Sequence, residues 1–246
     1  IRGHIKKTSL DYSPSLGKKF GGEVYFKWEN EQVTGSFKIR GALNKLRALS
    51  HEEKQKGIVS ASTGNHGLAL CYSSELEGVE LTLVLPENTA REKIKKLEKY
   101  GVTLIFYGSS CEKAEIHARQ MAKEKGQIYI SPYNDMDIIY GQGTAGIEII
   151  EDLPDVGAVI VPVGGGGLIS GIAGYCKAIS PGLRVFGVEP ENSQFMAASL
   201  KAGRIVEIEE KETLADGVAG GIEPGSITFP LCQKYVDKIF AVEESL

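Results

Sequence analysis

Short apolar runs rich in β-branched residues alternate along the chain with longer stretches whose apolar residues recur at helical spacing. The runs predicted to be strands are Glu23–Lys27, Ile58–Ala61, Glu80–Leu85, Val102–Tyr107, Gln127–Ile130, Ala158–Val163, Arg184–Val188 and Lys238–Val242. The stretches predicted to be helices are 37–49, 65–77, 89–100, 110–125, 143–152, 167–179 and 193–202. Several strands are apolar almost throughout, as expected when helices cover both faces of a sheet. The alternation predicts an α/β fold with open, largely parallel, twisted sheets.

Composition and charge argue against several classes of partner. The chain has 246 residues and a net charge of −4, which gives no positive field to attract nucleic acid or an anionic membrane. The uncharged stretch 156–176 is as long as a membrane span, but Pro162 and a run of glycines interrupt it, so we interpret it as buried core. The four cysteines form no CxxC pair, which favours a reducing compartment such as the cytoplasm.

The first segment with candidate chemistry is Thr34–Ala42. Gly35 and Ser36 suit the start of a helix, with Ser36 as its cap, and Lys38 then lies in the first helical turn. The positive end of a helix and the neighbouring Arg40 both lower the pKa of a lysine, as a Schiff-base lysine requires. The alternative is a surface lysine on an amphipathic helix, and this segment alone does not decide between them.

The second segment, Ser60–Gly67, follows an apolar strand and opens a helix. Ser62 and Thr63 can cap that helix and Gly64 permits a tight turn, so the free N–H groups of the first turn face forward. Such a helix start binds a carboxylate or a phosphate. The alternatives are an ordinary capped turn and a purely structural role for His66.

The third segment has four consecutive glycines, 164–167, between a predicted strand and a predicted helix. Glycines leave backbone N–H groups open to an anion, so the segment predicts a phosphate loop rather than a merely flexible turn. No Walker lysine follows, and the GxGxxG spacing fails here. A GxGxxG match does occur at 141–146. It follows a poor strand and lacks the acidic residue that binds a ribose, so we interpret its glycines as helix-packing positions.

Taken in this order, the segments resemble the serine/threonine dehydratase and serine racemase family, pyridoxal-phosphate enzymes of the tryptophan-synthase-β fold (fold type II). The resemblance runs through nearly the whole chain. The matching segments are Gly35–Ala42, Ser62–His66, Ser131–Tyr133 before Gly141–Thr144, Gly164–Leu168 and Ala215–Val218. Any one match is weak, whereas the ordered set is specific.

The resemblance implies pyridoxal 5′-phosphate as the cofactor and a role for each matched residue. Lys38 would bind the cofactor as a Schiff base and later move the α-proton of the substrate. Phe37 would lie against one face of the cofactor ring, and Asn65 would bond the phenolic oxygen. The residues that would hold the phosphate through backbone N–H groups are Gly164, Gly165, Gly166, Gly167 and Leu168. The residues that would surround the substrate carboxylate are Ser62, Thr63, Asn65 and His66.

The implied activity is that of an L-serine or L-threonine dehydratase, a lyase that releases a 2-oxo acid and ammonia after losing the α-proton and the β-hydroxyl. The alternative enzyme is an amino acid racemase, which needs an acid–base group on each face of the carbanion. Thr63 stands where racemases have serine and dehydratases often have alanine. Because threonine has a stiff χ1, we expect Thr63 to cap the helix and shape the carboxylate pocket, so that dehydration dominates.

Two departures from the family pattern bear on the function. The chain stops at Leu246, before the family's neutral residue that faces the pyridine nitrogen, so either the sequence is incomplete or the site lacks that partner. This feature alone favours a non-enzyme alternative, a truncated and inactive cofactor-binding module. Glu189 matches the first carboxylate of a divalent-cation site found in some members. Phe195, however, stands where the second carboxylate belongs, so no metal is expected.

The sequence predicts two domains with the cofactor in the cleft between them. The smaller domain, 53–134, would contain the Asn65 segment. The larger domain would combine 1–52 with 135–246 and contain Lys38 and the glycine loop. The expected partners are a small amino acid substrate and further copies of the chain in a homo-oligomer, with no nucleic acid and no membrane.

Overall fold

The computed structural model describes residues 1–209 and 211–245, which form an α/β structure as predicted. The strands are β1 Leu10–Tyr12, β2 Tyr25–Lys27, β3 Ile58–Ala61, β4 Leu81–Leu85, β5 Thr103–Phe106, β6 Ile128–Tyr129, β7 Ala158–Pro162, β8 Arg184–Pro190 and β9 Lys238–Val242. The α-helices are α1 Pro14–Phe20, α2 Lys38–Ala48, α3 His51–Lys56, α4 Asn65–Glu77, α5 Arg91–Glu98, α6 Cys111–Lys125, α7 Met136–Asp152, α8 Gly167–Ile179, α9 Phe195–Ala202 and α10 Thr228–Tyr235.

Parallel strands form the two larger sheets, which confirms the predicted class. The first sheet has the order β5-β4-β3-β6 and the second has the order β7-β8-β9. Strands β1 and β2 pair antiparallel in a separate ribbon near the start of the chain. Each parallel pair is joined through at least one helix, as parallel connections require.

Helices cover both faces of the first sheet. On one face, Leu83 of β4 packs with Leu43 of α2 and Leu70 of α4, and all three are fully buried. On the other face, Val84 packs with Ala118 of α6. Helix α2 therefore shares the core of the first sheet, and it also packs against α7. The domain boundaries at 52/53 and 134/135 stay a prediction.

The second sheet is covered differently. Val161 of β7 and Val185 of β8 pack with Ile169 of α8 in a second core. On the opposite face Ile160 is 68% exposed and Phe240 is 42% exposed, so this face is open to solvent in the part of the chain that the structure describes. The expectation that helices cover both faces is correct for the first sheet and wrong for the second.

Helix α7 begins seven residues earlier than predicted. The Asp135 side chain caps it, because a carboxylate oxygen accepts hydrogen bonds from the N–H groups of Asp137 (2.8 Å) and Ile138 (3.2 Å). The glycines of the 141–146 match lie inside this helix at close contacts. A Cβ on Gly143 would lie 2.9 Å from the carbonyl oxygen of Gly171 in α8. Their interpretation as helix-packing positions is confirmed.

Four elements were not predicted, namely β1, α1, α3 and α10. The stretch 156–176 contains β7, the glycine loop and most of α8, as its glycines indicated. Among the described residues, the helices are all too short or too polar to cross a membrane.

Candidate active site

Lys38 is the first residue of α2, and its amine faces the loop that follows β6. The Nζ atom donates a hydrogen bond to the carbonyl oxygen of Pro132 at 3.0 Å and lies 5.3 Å from the centre of the Phe37 ring. Desolvation by the surrounding protein lowers the pKa of Lys38 to about 8, although part of the side chain remains open to solvent. The structure therefore provides an amine that loses its proton far more readily than an ordinary lysine.

Arg40 does not cause this shift, contrary to the expectation from sequence. Its guanidinium is fully buried and forms paired hydrogen bonds of 2.6 to 2.7 Å with the carboxylates of Glu29 and Glu148. These carboxylates raise the pKa of Arg40, and Lys27, paired with Glu148 at 2.6 Å, is the second cation that balances their charge. The N-cap of α2 is Phe37 rather than Ser36, although the Ser36 hydroxyl accepts a hydrogen bond from the N–H of Lys38 at 3.4 Å.

The second segment places the start of α4 beside a tight turn. Gly64 is the N-cap of this helix, and no side chain of the described residues caps it. The Ser62 hydroxyl accepts a hydrogen bond from the N–H of Gly64 at 3.3 Å, while Thr63 is half-buried in the turn. The expectation that Thr63 caps the helix is therefore wrong. Among the described residues no side chain caps the first N–H groups of α4, and their binding of a carboxylate stays a prediction.

His66 is almost fully buried, with 3% of its surface exposed. Within the part of the chain that the structure describes, neither ring nitrogen has a hydrogen-bond partner. Burial, and then the positive charge of Lys38, lower the pKa of His66 to about 3, while the Ile130 carbonyl opposes this shift. The imidazole is therefore neutral near pH 7, and its unpaired nitrogens cost about 1 to 3 kcal/mol each unless a bound group satisfies them.

The third segment connects β7 to α8. Gly166 has φ 85°, in the left-handed region that favours glycine, and it is the N-cap of α8. A Cβ on Gly164 would lie 2.8 Å from the carbonyl oxygen of Val218, and one on Gly166 would lie 2.7 Å from Cε of Met196. The glycines are thus needed for close packing, and their role in presenting N–H groups to a phosphate stays a prediction. The loop keeps the form expected of a phosphate-binding loop, at the N-terminus of a helix.

The segment 131–134 brings Lys38 and the glycine loop together. Pro132 accepts the hydrogen bond from Lys38, and the ring of Tyr133 lies against Gly165. On the glycine loop itself, the Thr228 hydroxyl donates to the carbonyl oxygen of Gly165 at 2.7 Å. The sequence marked 131–133 only as similar to the family and did not indicate that it joins the two sites.

These residues fit pyridoxal phosphate. The neutral form of Lys38 can bond to its aldehyde carbon, and a glycine-lined helix start can bind its phosphate. The ring nitrogens of His66, which is buried near Lys38, would pair with a polar group of a bound cofactor or substrate. Phe37 adjoins Lys38, and Asn65 is exposed at the start of α4, so their contacts with the cofactor stay predictions.

Glu189 has a local structural role. Its buried carboxylate accepts hydrogen bonds from the N–H groups of Met196 (2.8 Å) and Ala197 (2.9 Å), and burial raises the pKa of Glu189. Each carboxylate oxygen thus satisfies an N–H at the start of α9. Among the described residues, no group of three His, Cys, Asp or Glu side chains has an arrangement that would hold a metal ion. The absence of a metal in the protein stays a prediction.

Comparisons with known proteins identify the family of the chain. The sequence model of the family described as pyridoxal-phosphate dependent enzyme matches residues 1–245. An L-threonine ammonia-lyase of Thermotoga maritima is 45% identical over 244 residues, which are 99% of this chain and 61% of that protein. The chain thus spans about three-fifths of the length of that relative.

Two solved structures have the same fold. The processed form of threonine deaminase isoform 2 from Solanum lycopersicum has a TM-score of 0.93 at 37% identity, covering 97% of this chain and 69% of that one. A maize serine racemase has a TM-score of 0.93 at 35% identity, covering 100% and 76%. The chain belongs to the family of pyridoxal-phosphate dependent enzymes, within the group of serine/threonine dehydratases and serine racemases that its motifs resemble.

Proposed function

We propose that this chain carries the active site of an L-threonine or L-serine ammonia-lyase, which converts the amino acid to a 2-oxo acid and ammonia. The observation that carries the proposal is the amine of Lys38, whose pKa is lowered to about 8 and which lies 3.0 Å from the Pro132 carbonyl. The names of the Thermotoga ammonia-lyase and the tomato threonine deaminase support it. Because the chain spans only part of such relatives, the activity is assigned as a proposal.

Lys38 has two tasks in this proposal. Its Nζ atom binds the cofactor, and after its release the same amine takes the α-proton from the substrate. With a pKa of about 8, roughly one amine in ten is neutral at pH 7, against far fewer than one in a hundred for an ordinary lysine. When bound, pyridoxal phosphate supplies the electron sink that makes the α-proton acidic enough to leave.

The start of α4 is the site that we assign to the substrate carboxylate. Backbone N–H groups at a helix N-terminus attract an anion, and the hydroxyl groups of Ser62 and Thr63 adjoin them. His66 stays neutral beside Lys38 and offers one donor and one acceptor nitrogen without adding charge. Asn65, exposed at the helix start, is assigned to the cofactor ring.

The loop Gly164–Gly167, with Leu168, is assigned to the phosphate. Helix α8 directs its N-terminus at this loop, so the partial positive charge and the open N–H groups act together. We thus assign the substrate carboxylate to the start of α4 and the cofactor phosphate to the start of α8. Lys38 is assigned the covalent bond to the cofactor and the transfer of the α-proton.

A racemase is the second candidate function. The structure around Thr63 supports this candidate more strongly than the sequence alone did. Dehydration was expected to dominate because the Thr63 hydroxyl would be occupied as a helix cap. Gly64 is the N-cap instead, so that reason no longer holds. The structural similarity to maize serine racemase supports the same alternative. A hydroxyl at position 63 that does not cap the helix is available to serve the face of the carbanion opposite Lys38.

Turnover of both substrates distinguishes the candidates. The purified protein, loaded with pyridoxal phosphate, is incubated with L-threonine and with L-serine, and 2-oxo acid, ammonia and the D-enantiomer are measured. The proposal expects 2-oxo acid and ammonia in equal amounts, abolished by Lys38→Ala. D-serine without 2-oxo acid would assign the chain to the racemases. Bound cofactor without either product would favour the inactive cofactor-binding module.

The finer expectations on location and assembly are part of the proposal. We propose a cytoplasmic protein, which is supported by free thiols at Cys71, Cys176 and Cys232 that are buried and unbridged. A homo-oligomer and the two domains with a ligand cleft are proposed on the family resemblance. Sedimentation of the purified protein tests the homo-oligomer, and limited proteolysis near residue 53 or 134 tests the two domains.

A further inference from the structure

The ring of Tyr133 lies directly on the backbone of the glycine loop. A Cβ on Gly165 would be 2.5 Å from two carbons of this ring and 2.7 Å from a third. A Cβ on Gly167 would be 3.0 Å from the Cβ of Tyr133. No side chain fits between them, so the position of the ring limits where the loop can lie.

The hydroxyl of Tyr133 fixes the far end of the ring. It accepts a hydrogen bond from the N–H of Glu223 at 2.9 Å. The carboxylate of Glu223 is itself held, by an ion pair with Arg119 and by the hydroxyl of Ser131 at 3.3 Å. Burial raises the pKa of Tyr133 to about 12, so the hydroxyl stays neutral throughout the working range of pH.

The peptide bond before Tyr133 carries the acceptor for Lys38. The carbonyl of Pro132 belongs to that bond, and it receives the hydrogen bond from the Lys38 amine at 3.0 Å. On the other side of Tyr133, the Asn134 side chain accepts a hydrogen bond from the N–H of Ile227 at 2.9 Å. A shift of Tyr133 therefore moves the acceptor of Lys38 and the surface of the glycine loop together.

We propose that Tyr133 is a positioning residue that sets the distance between the Lys38 amine and the phosphate loop. Pyridoxal phosphate has its aldehyde and its phosphate at a fixed separation, so only one spacing of the two protein groups lets both ends bind at once. The hydroxyl anchored at Glu223 and the ring seated on Gly165 maintain that spacing. The inference rests on the roles proposed for Lys38 and for the glycine loop.

Loss of the Tyr133 ring should selectively weaken the binding of a ligand that contacts both Lys38 and the glycine loop. Pyridoxal, which lacks the phosphate, engages Lys38 alone and does not depend on the spacing. Binding both ends of one molecule adds affinity only when the geometry allows both contacts at the same time. Loss of the Tyr133 ring should therefore reduce the preference for pyridoxal phosphate over pyridoxal, rather than weaken both ligands equally.

The test is a titration of the cofactor-free protein with each ligand, followed by absorbance. Tyr133→Ala is expected to lower the ratio of the two affinities by on the order of tenfold or more. Tyr133→Phe, which keeps the ring and loses the anchor, is expected to lower it by about fivefold, the equivalent of one hydrogen bond. Tyr175→Ala, which removes a half-buried ring from α8 away from the loop, should leave the ratio unchanged.

Thermal unfolding of each variant shows whether a lower affinity ratio arises from lost positioning or from a failure to fold. If Tyr133→Ala does not fold, Tyr133→Phe decides alone, because the ring still fills its space. A ratio unchanged in Tyr133→Phe and in any folded Tyr133→Ala protein, or an equal loss for both ligands, would overturn the inference while leaving the proposed function in place. Borohydride reduction that labels a lysine other than Lys38 in the parent protein would instead overturn the proposed function, and this inference with it.

Discussion

Arg119 of α6 forms an ion pair with Glu223, in the segment before α10, at 2.5 Å. The guanidinium also lies 4.2 Å from the centre of the Tyr129 ring and contacts Glu115 one turn earlier on the same helix. Helix α6 packs on the first sheet, whereas Glu223 follows a segment that packs beside the glycine loop. The pair therefore ties the first sheet to the side of the molecule that holds the phosphate loop.

Breaking this pair should have a small effect on stability that depends on salt. Both side chains are partly exposed, so Arg119→Gln should lower the free energy of unfolding by about 1 kcal/mol or less. Lys95→Gln, which breaks an exposed pair with Glu92 within α5, is the control and should cost less. Urea unfolding at low and high salt measures both variants. An Arg119→Gln loss that does not shrink in high salt would argue against an ion pair in solution.

Arg40 should be much more important for stability, because its charge is buried. Arg40→Gln leaves the Glu29 carboxylate without its cation and Glu148 with Lys27 alone, which should cost about 3 to 5 kcal/mol. Arg2→Gln breaks an exposed pair with Glu151 and should cost no more than about 1 kcal/mol. Equilibrium unfolding in urea compares the two variants. Equal losses would contradict the buried network.

Much of the fold could be predicted from local pattern, and the start of α7 is a place where that pattern misled. Ile58–Ala61 and Ala158–Val163 could be predicted as strands because short runs rich in β-branched apolar residues favour strands, although Ile160 of the second run is exposed. The start of α7 was missed because Gly141 and Gly143 disfavour a helix, whereas the Asp135 side chain caps a helix that continues through them. Tertiary packing and a cap outweighed local propensity there.

The candidate site likewise includes features that the local sequence predicts and features that it does not. The position of Lys38 at a helix start could be predicted from its segment, whereas the partners of Arg40 could not, because Glu148 is 108 residues away. For the same reason, nothing local indicated that Tyr133 would lie on Gly165. Thr63 was expected to cap α4 because its residue type suits a cap. The choice of Gly64 depends on the turn in which Gly67 packs on the Ser62 carbonyl, which the local pattern does not reveal.

Substitution of Thr63 should separate the two candidate reactions. Thr63→Ala removes the hydroxyl, and the ammonia-lyase reaction on L-serine should keep much of its rate because it needs no base opposite Lys38. Thr63→Ser keeps the hydroxyl and removes the methyl group that stiffens χ1, so any racemisation should rise. Formation of 2-oxo acid and of D-serine is measured for both variants. If Thr63→Ala abolishes substantial D-serine formation by the parent protein, the residue is the second base and the racemase assignment is the better one.

Chelators should leave the activity nearly unchanged. The carboxylate oxygens of Glu189 are occupied by two N–H groups of α9, and Phe195 offers no ligand oxygen in its side chain. Turnover of L-threonine is measured before and after exhaustive treatment with EDTA, and again after magnesium or calcium is added. A large loss that either ion restores would show that a divalent cation binds after all.

The most direct test of the account is the identity and pH dependence of the lysine that takes up pyridoxal phosphate. The protein is mixed with the cofactor at a series of pH values, reduced with borohydride and digested, and the modified peptide is identified by mass spectrometry. The account predicts modification at Lys38, rising to half its maximum near pH 8, because burial lowers the pKa of this amine and only its neutral form reacts. Modification at another lysine, or a midpoint near the ordinary lysine pKa of about 10.4, would contradict it.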